Sequence, residues 1–361
     1  MATKTEFATR TDVDTGPRRA RAKPAIGTAT ATGPLTDRYL AATAEPADTT
    51  PAGAALTGYL RAQRDAIRAE DPGARAGDPD AIHDMRVAIR RLRSTLRTFR
   101  PLLDAARTEP VRAELHWLAD LLGAVRDSQV LTRRLTRAVA AEPPELMVGP
   151  VPATLRQRLT ARTTEARDRL AEALDGARYA ALLDAVDDLV DRPAPGHPTR
   201  KRLRGRVRKA LRRADRTLAA ADRLDRPAAD PTPGPDIGSH QALDRILLGT
   251  ERDARLHQAR RAYKRARYAV EVLGPLTGKP ARRLTRALRT MQDVLGAHQD
   301  AVVTGQLLRE YGMRAHLDGD NAFSYGLLRG RQDAAARDSL RDLPRARRRI
   351  NRRGVRRWLG A

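Results

Sequence analysis

From residue 52 onward, apolar positions recur every three or four residues, and β-branched alternation is nowhere sustained. The pattern predicts an all-α protein. Helices are expected at 52–70, 80–106, 108–139, 152–190 with a break near Gly176, 199–224, 238–274, 279–311, 321–341 and 344–359. Pro- and Gly-rich stretches separate them: "DPGARAGDP" before the second helix, "EPPELMVGPVP" at 142–152 and "DRPAPGHP" at 191–198. The last falls near the middle of the periodic region, so two tandem helical bundles are expected, at 51–192 and 199–361. "DRPAADPTPGPD" at 225–236 is then a loop within the second bundle. Residues 1–50, rich in Thr, Ala, Pro and Gly, read as a disordered tail.

One helix carries an unusual polar face. In "AIHDMRVAIRRLRSTLRTFRPLL", residues 81–103, Met85, Ile89, Leu92, Leu96, Phe99 and Leu103 fall within an arc of roughly 80° when drawn at 100° per residue. His83, Arg86, Arg90, Arg93, Arg97 and Arg100 fill a second arc of roughly 100° beside it. Like charges spaced this way repel by about 0.2–0.5 kcal/mol per pair. Either solvent screens them or an anion lies along them.

Charge favours an anionic partner. The chain has 361 residues, 69 basic and 44 acidic, for a formal net charge of +25, with 41% hydrophobic content. Cysteine is absent, which excludes disulfides, thiolate metal ligands and a cysteine nucleophile. No run of 18 apolar residues or secretory signal occurs, so a cytoplasmic protein without membrane contact is expected. Aromatic residues make up 3%, including Trp117 and Trp358, too few for a platform on which single-stranded bases stack.

The basic helix recurs. "LHQARRAYKRARYAVEVL", residues 256–273, matches it at an offset of 174: His83 with His257, Arg86 with Arg260, Arg90 with Lys264, Arg91 with Arg265, Arg93 with Arg267. About forty residues after each histidine, "LADLLGAVRDSQV" at 118–130 is matched by "MQDVLGAHQDAVV" at 291–303. Two motifs recurring in the same order indicate a duplication. The second copy departs from the first at Arg261 for Val87, Glu271 for Arg97, and Gln299 for Arg126.

This paired pattern, H-x-x-R-x-x-x-R-R-x-R followed by L-G-x-x-R-D and repeated, resembles the CHAD family, histidine-bearing α-helical domains associated with inorganic polyphosphate. The resemblance spans roughly residues 52–361. It implies two four-helix bundles related by pseudo-twofold symmetry, with basic residues of both lining a groove or pore for the polyanion. It also leaves open an association with polyphosphate granules.

Arginine suits such a ligand because it stays charged and bonds phosphate oxygens in pairs. The expected binding residues are His83, Arg86, Arg90, Arg93, Arg97 and Arg126 in the first copy, with His257, Arg260, Lys264 and Arg267 in the second. The basic helix "RKRLRGRVRKALRR", residues 200–213, adds Arg204 and Arg208. A second basic segment, "RARRRINRRGVRRW" at 345–358, is assigned no role.

The bland reading of each basic helix is a solvated face, and repetition with the histidine fixed at the start weighs against it. His83–Asp84 is not expected to hold a metal, since the matching pair is His257–Gln258 and consecutive helix positions diverge by 100°. Asp127 and Asp300 are expected to orient arginines. No Walker loop, H-E-x-x-H, G-x-S-x-G or E-x-E-x-K signature is present, and the 50-residue tail is too short for a catalytic triphosphatase domain. The expected protein is a non-catalytic polyphosphate-binding module without a cofactor, and the alternative is a sequence-nonspecific nucleic-acid binder.

Overall fold

The computed structural model describes residues 50–192, 198–224 and 250–360. The expected tail, the expected loop at 225–236 and the start of the helix expected from 238 lie outside them. The described residues form helices and connecting turns, and no strand occurs among them. The fold is all-α.

The longer helices among the described residues are α1 (Pro51–Arg75), α2 (Pro79–Phe99), α3 (Ala105–Ala140), α4 (Val151–Asp175), α5 (Ala177–Asp191), α6 (Arg200–Arg223), α7 (Glu251–Val272), α8 (Lys279–Leu317), α9 (Phe323–Ser339) and α10 (Leu343–Asn351), with single helical turns at Gly274–Thr277 and Arg353–Arg356. Side-chain oxygens cap several starts: Thr50 accepts from Gly53, Asp78 from Asp80, Asp104 from Ala106 and Thr199 from Arg202. Thr250 and Asp253 form a reciprocal capping box at the start of α7.

Two boundaries differ from expectation for local reasons. Helix α2 stops at Phe99 and tightens into a 3₁₀ turn over Arg100–Leu102, because Pro101 has no N–H to extend the helix. Helix α1 runs past Pro72 to Arg75, where the Asp71 carboxylate accepts from Tyr179 Oη at 2.7 Å and Arg75 Nε at 3.0 Å. Just beyond Pro72, a Cβ on Gly73 would lie 2.6 Å from Ala81 Cβ, so glycine is what lets α1 and α2 meet there.

The packing order is similar in the two halves. Helix α1 packs on α2 and α2 on α3, while α6 packs on α7 and α7 on α8. One core gathers α1 to α5 around Ile82, Met85, Ile89, Leu115, Leu118 and Leu122, with α4 contributing Ala166, Leu170 and Leu174. A second gathers α6, α7, α8 and α10, and it also takes Leu56 and Tyr59 of α1 and Phe99 of α2. A third lies farther along the long helices, where Leu131 and Leu135 of α3 meet Leu308 and Tyr311 of α8, with α4 and α9 closing around them.

Helices α2 and α7 touch directly. Beside this contact is a buried ionic group: Glu271 accepts from Tyr59 Oη at 2.9 Å and pairs with Arg91 at 3.4 Å and Arg267 at 3.6 Å. The three charged side chains retain 7%, 3% and 5% exposure. Both guanidiniums also lie over the Tyr268 ring, at 5.9 and 5.0 Å. Although burial opposes it, the Glu271 charge holds both arginines above the usual arginine range.

The close approach at Gly73 gives a paired expectation. Gly73→Ala should lower stability by about 1–3 kcal/mol through overpacking. Gly205→Ala, in open space within α6, should raise it by about 0.5–1 kcal/mol through helix propensity. Urea unfolding of both variants against the parent checks the opposite signs.

Candidate functional site

The two histidine-bearing helices bring their cations together at the α2–α7 contact. Lys264 is the focus. Burial lowers its pKa well below the usual lysine value, and the charges of Arg90, Arg260, Arg86 and Arg267 lower it further. Burial likewise lowers Arg90 and Arg260, and each also feels positive charge from the other repeat, Arg267 on Arg90 and Arg90 on Arg260. Cations from both repeats therefore bear on one another inside a partly enclosed region. Water reaches it only partly: Arg86, Arg90, Arg260 and Lys264 are all half-buried.

The second motif positions the first. Asp127 of α3 holds Arg86 in a two-pronged pair, accepting at 3.0 and 3.3 Å. The glycine four residues earlier, Gly123, leaves the flank of α3 bare: a Cβ there would lie 3.5 Å from Arg86 Nη2. In the other copy, a Cβ on Gly296 would lie 3.6 Å from Arg260 Nε, and the Asp300 charge bears on Arg260. The L-G-x-x-x-D spacing puts a flat seat and a carboxylate one helical turn apart, and an arginine from the neighbouring helix lies across both.

Each histidine stands at one end of its own stripe. Burial, helped by Arg126, Arg90 and Arg86, pushes His83 down to about 4, so its ring is neutral at pH 7. Burial also lowers His257, while Gln299 acts in the opposite direction and Arg260 adds to the lowering. Arg126 and Gln299 occupy matching positions, so each histidine keeps its neighbour from the second motif even though one neighbour has lost its charge. Both ring nitrogens of His83, Nδ1 of His257, and Nε of Arg86, Arg90 and Arg260 are buried without a hydrogen-bond partner among the described residues. Each such orphaned donor or acceptor costs about 1–3 kcal/mol.

Some expected residues are placed elsewhere. Arg267 is drawn into the interior toward Glu271, one turn along its own helix, while its charge still bears on Lys264 and Arg90. Arg204 lies over the Trp358 ring at 6.0 Å, and Arg208 borders the C-terminal turns beside Arg353 and Arg357, so neither faces the α2–α7 contact. The other flank of α6 approaches α2 instead, through Arg206, Lys209 and Arg213. Arg93 feels the charge of Arg261, and Arg97 feels those of Arg213 and Arg261, so these two continue the line of cations away from Lys264. Of the C-terminal arginines, Arg356 is held by Asp215 at 2.6 and 3.1 Å. Among the described residues, no helix is long and apolar enough to cross a membrane.

Residues 58–309 match the CHAD domain family. The chain belongs to the CHAD family. Among curated proteins, the uncharacterized proteins Rv2226 and MT2285 of two Mycobacterium tuberculosis strains, H37Rv and CDC 1551, are 33% and 32% identical over 215 residues, 60% of this chain. That match covers 37% of each relative's length, so the chain spans well under half of them. Two solved structures share the fold. PptA from Streptomyces chartreusis aligns over 83% of this chain and 100% of its own with a TM-score of 0.63 and 24% identity. The CHAD domain of the plant Ricinus communis aligns over 86% and 95%, with a TM-score of 0.59 and 24% identity.

The depressed histidine is directly measurable. An NMR titration of the ligand-free protein should give His83 a midpoint near 4. An unfolded-chain value near 6.5 means that the unfolded state binds more protons between those two pH values. His83 therefore contributes a loss of stability as pH falls through that window. His83→Asn should reduce the loss seen in thermal unfolding between pH 7 and pH 4.

Proposed function

We propose that this CHAD chain binds inorganic polyphosphate without cleaving it, in a basic groove or pore between two pseudo-twofold related helical bundles. The observation that carries the reading is the convergence of cations from both repeats with buried donors left unpaired, at Arg90 Nε and Arg260 Nε above all. Repulsion and orphaned donors both cost the ligand-free protein, and a chain of phosphates relieves both at once. Along α2 the cations from Arg86 to Arg97 span about 16 Å at roughly 1.5 Å per residue, room for several consecutive phosphates. The chemistry available is anion capture. Guanidiniums donate to phosphoryl oxygens in pairs, while the neutral His83 ring can donate one hydrogen bond and takes up a proton when negative charge arrives. Both oxygens of Asp127 accept from Arg86, which supports a positioning role for this carboxylate.

The reading is tested by competition. Long-chain polyphosphate should displace duplex DNA of equal total charge, and its binding should weaken steeply with salt as condensed counterions are released. Arg90→Ala combined with Arg260→Ala should weaken polyphosphate binding by about 100-fold, two charge-assisted contacts at about 1.5 kcal/mol each, without unfolding the protein. Removing Arg18, Arg19 and Arg21 should do much less. Equal effects would mean that net charge alone governs binding, and DNA competing equally per charge would replace this reading with nonspecific nucleic-acid binding.

The non-catalytic part is tested separately. Incubation of the full chain with polyphosphate and magnesium or manganese should release no orthophosphate over background. Sustained release that disappears in His83→Ala would make the chain an enzyme.

A further inference from the structure

Arg97 and Glu271 occupy matching positions in the two repeats, and the exchange of charge between them puts an arginine, among the described residues, where the other side of the α2–α7 contact has its carboxylate. On the Glu271 side, the carboxylate sits between Arg91 and Arg267 and accepts from Tyr59. On the other side the side chain is Arg97, and its charge bears across the helices on Arg265, the match of Arg91. Arg213 of α6 and Arg261 of α7 add their charge. Burial, followed by Arg97, Arg213 and Arg261, pushes Arg265 down to about 10. The acidic group that bears on Arg97 is Glu109, already paired with Arg100 and Arg112 at 2.7 Å each.

These side chains border a cavity of about 110 Å³ between α2, α6 and α7, lined by Arg97, Arg206, Lys209, Arg213 and Arg265. Arg206 is fixed beside it, donating from Nε to the Thr98 carbonyl at 2.8 Å. The volume lies below the roughly 300–1,000 Å³ of pockets for drug-sized molecules, which selects a compact ion. Several guanidiniums around one small space suit a tetrahedral oxyanion with multiple acceptor oxygens, which each fork can bind in pairs. A halide offers no such directional acceptors.

We propose that this pocket is a second anion site, which takes one phosphoryl-sized oxyanion from solution into the place that Glu271 fills in the other repeat. The phosphoryl group can come from free phosphate or pyrophosphate, or from the end of a chain lying along Arg90, Arg93 and Arg97. Only the second source rests on the polyphosphate reading above. The site itself stands without it.

The test uses the full chain and pyrophosphate at constant ionic strength, read by calorimetry and thermal unfolding. Pyrophosphate should bind and raise the unfolding temperature more than sodium chloride of equal ionic strength. Arg97→Glu, which restores the carboxylate of the other repeat, should stabilise the ligand-free protein and weaken pyrophosphate by at least about tenfold. Arg213→Gln, an exposed position, should weaken it in the same direction and serves if Arg97→Glu does not fold. A loss of long-chain affinity in Arg97→Glu would identify a chain end as the occupant, and long-chain affinity kept alongside the pyrophosphate loss would identify the free ion. The proposal is overturned if pyrophosphate binds the parent, Arg97→Glu and Arg213→Gln equally. It is also overturned if binding disappears in Arg86→Ala with Lys264→Ala yet persists in Arg97→Glu, because the ion would then sit in the stripe.

Discussion

Two helices rich in positive charge cannot cross closely unless something offsets their repulsion, and here that is the Glu271 carboxylate. It lies where α1, α2 and α7 meet, ties a tyrosine from one helix to arginines from the other two, and is itself almost wholly buried. Buried ion pairs of this kind add little net stability over an apolar substitute, but losing one partner leaves an uncompensated charge and costs several kcal/mol. Their value is in fixing one arrangement. With Arg91 and Arg267 drawn to Glu271, the remaining cations of the two repeats, Lys264, Arg90 and Arg260 among them, cluster beside the crossing.

Much of this was legible in the sequence because it follows from helical spacing. The repeat pointed to Arg86, Arg90, Arg260 and Lys264 as neighbours, and their charges bear on one another, since residues three and four apart share a face and duplicated segments repeat their packing. The role of Asp127 was readable too, from its position in the second motif. Arg267 was not, although Glu271 four residues later was visible: spacing alone does not say whether an i, i+4 pair lies in water or in the core. Helix α6 shows the same limit. Its apolar face at Leu203, Val207 and Leu211 was clear, but it has a basic flank on either side, Arg204 and Arg208 on one and Arg206, Lys209 and Arg213 on the other. Which flank turns toward α2 is decided by how the halves pack. Arg265 carried a usable signal, since it matches Arg91, and its partner had changed sign from Glu271 to Arg97.

The third core bears on how the basic region behaves when empty. Leu131 and Leu135 lie about 12–18 Å along α3 from Gly123, at roughly 1.5 Å per residue, and there they share a core with Leu308 and Tyr311 of α8. Arg134 of α3 donates to Gln332 of α9 at 2.9 Å, and Arg331 of α9 pairs with Glu142 at 2.8 Å, adding polar ties across the same region. The two halves are thus clamped at two separated points, and a hinge that splayed one would have to prise open the other. Repulsion among the cations therefore has no soft motion through which to relax. It is held as electrostatic tension in the frame, and an anion bound as proposed above would meet a preorganised array rather than side chains it must first gather, which would spare it much of the ordering entropy that flexible basic tails exact.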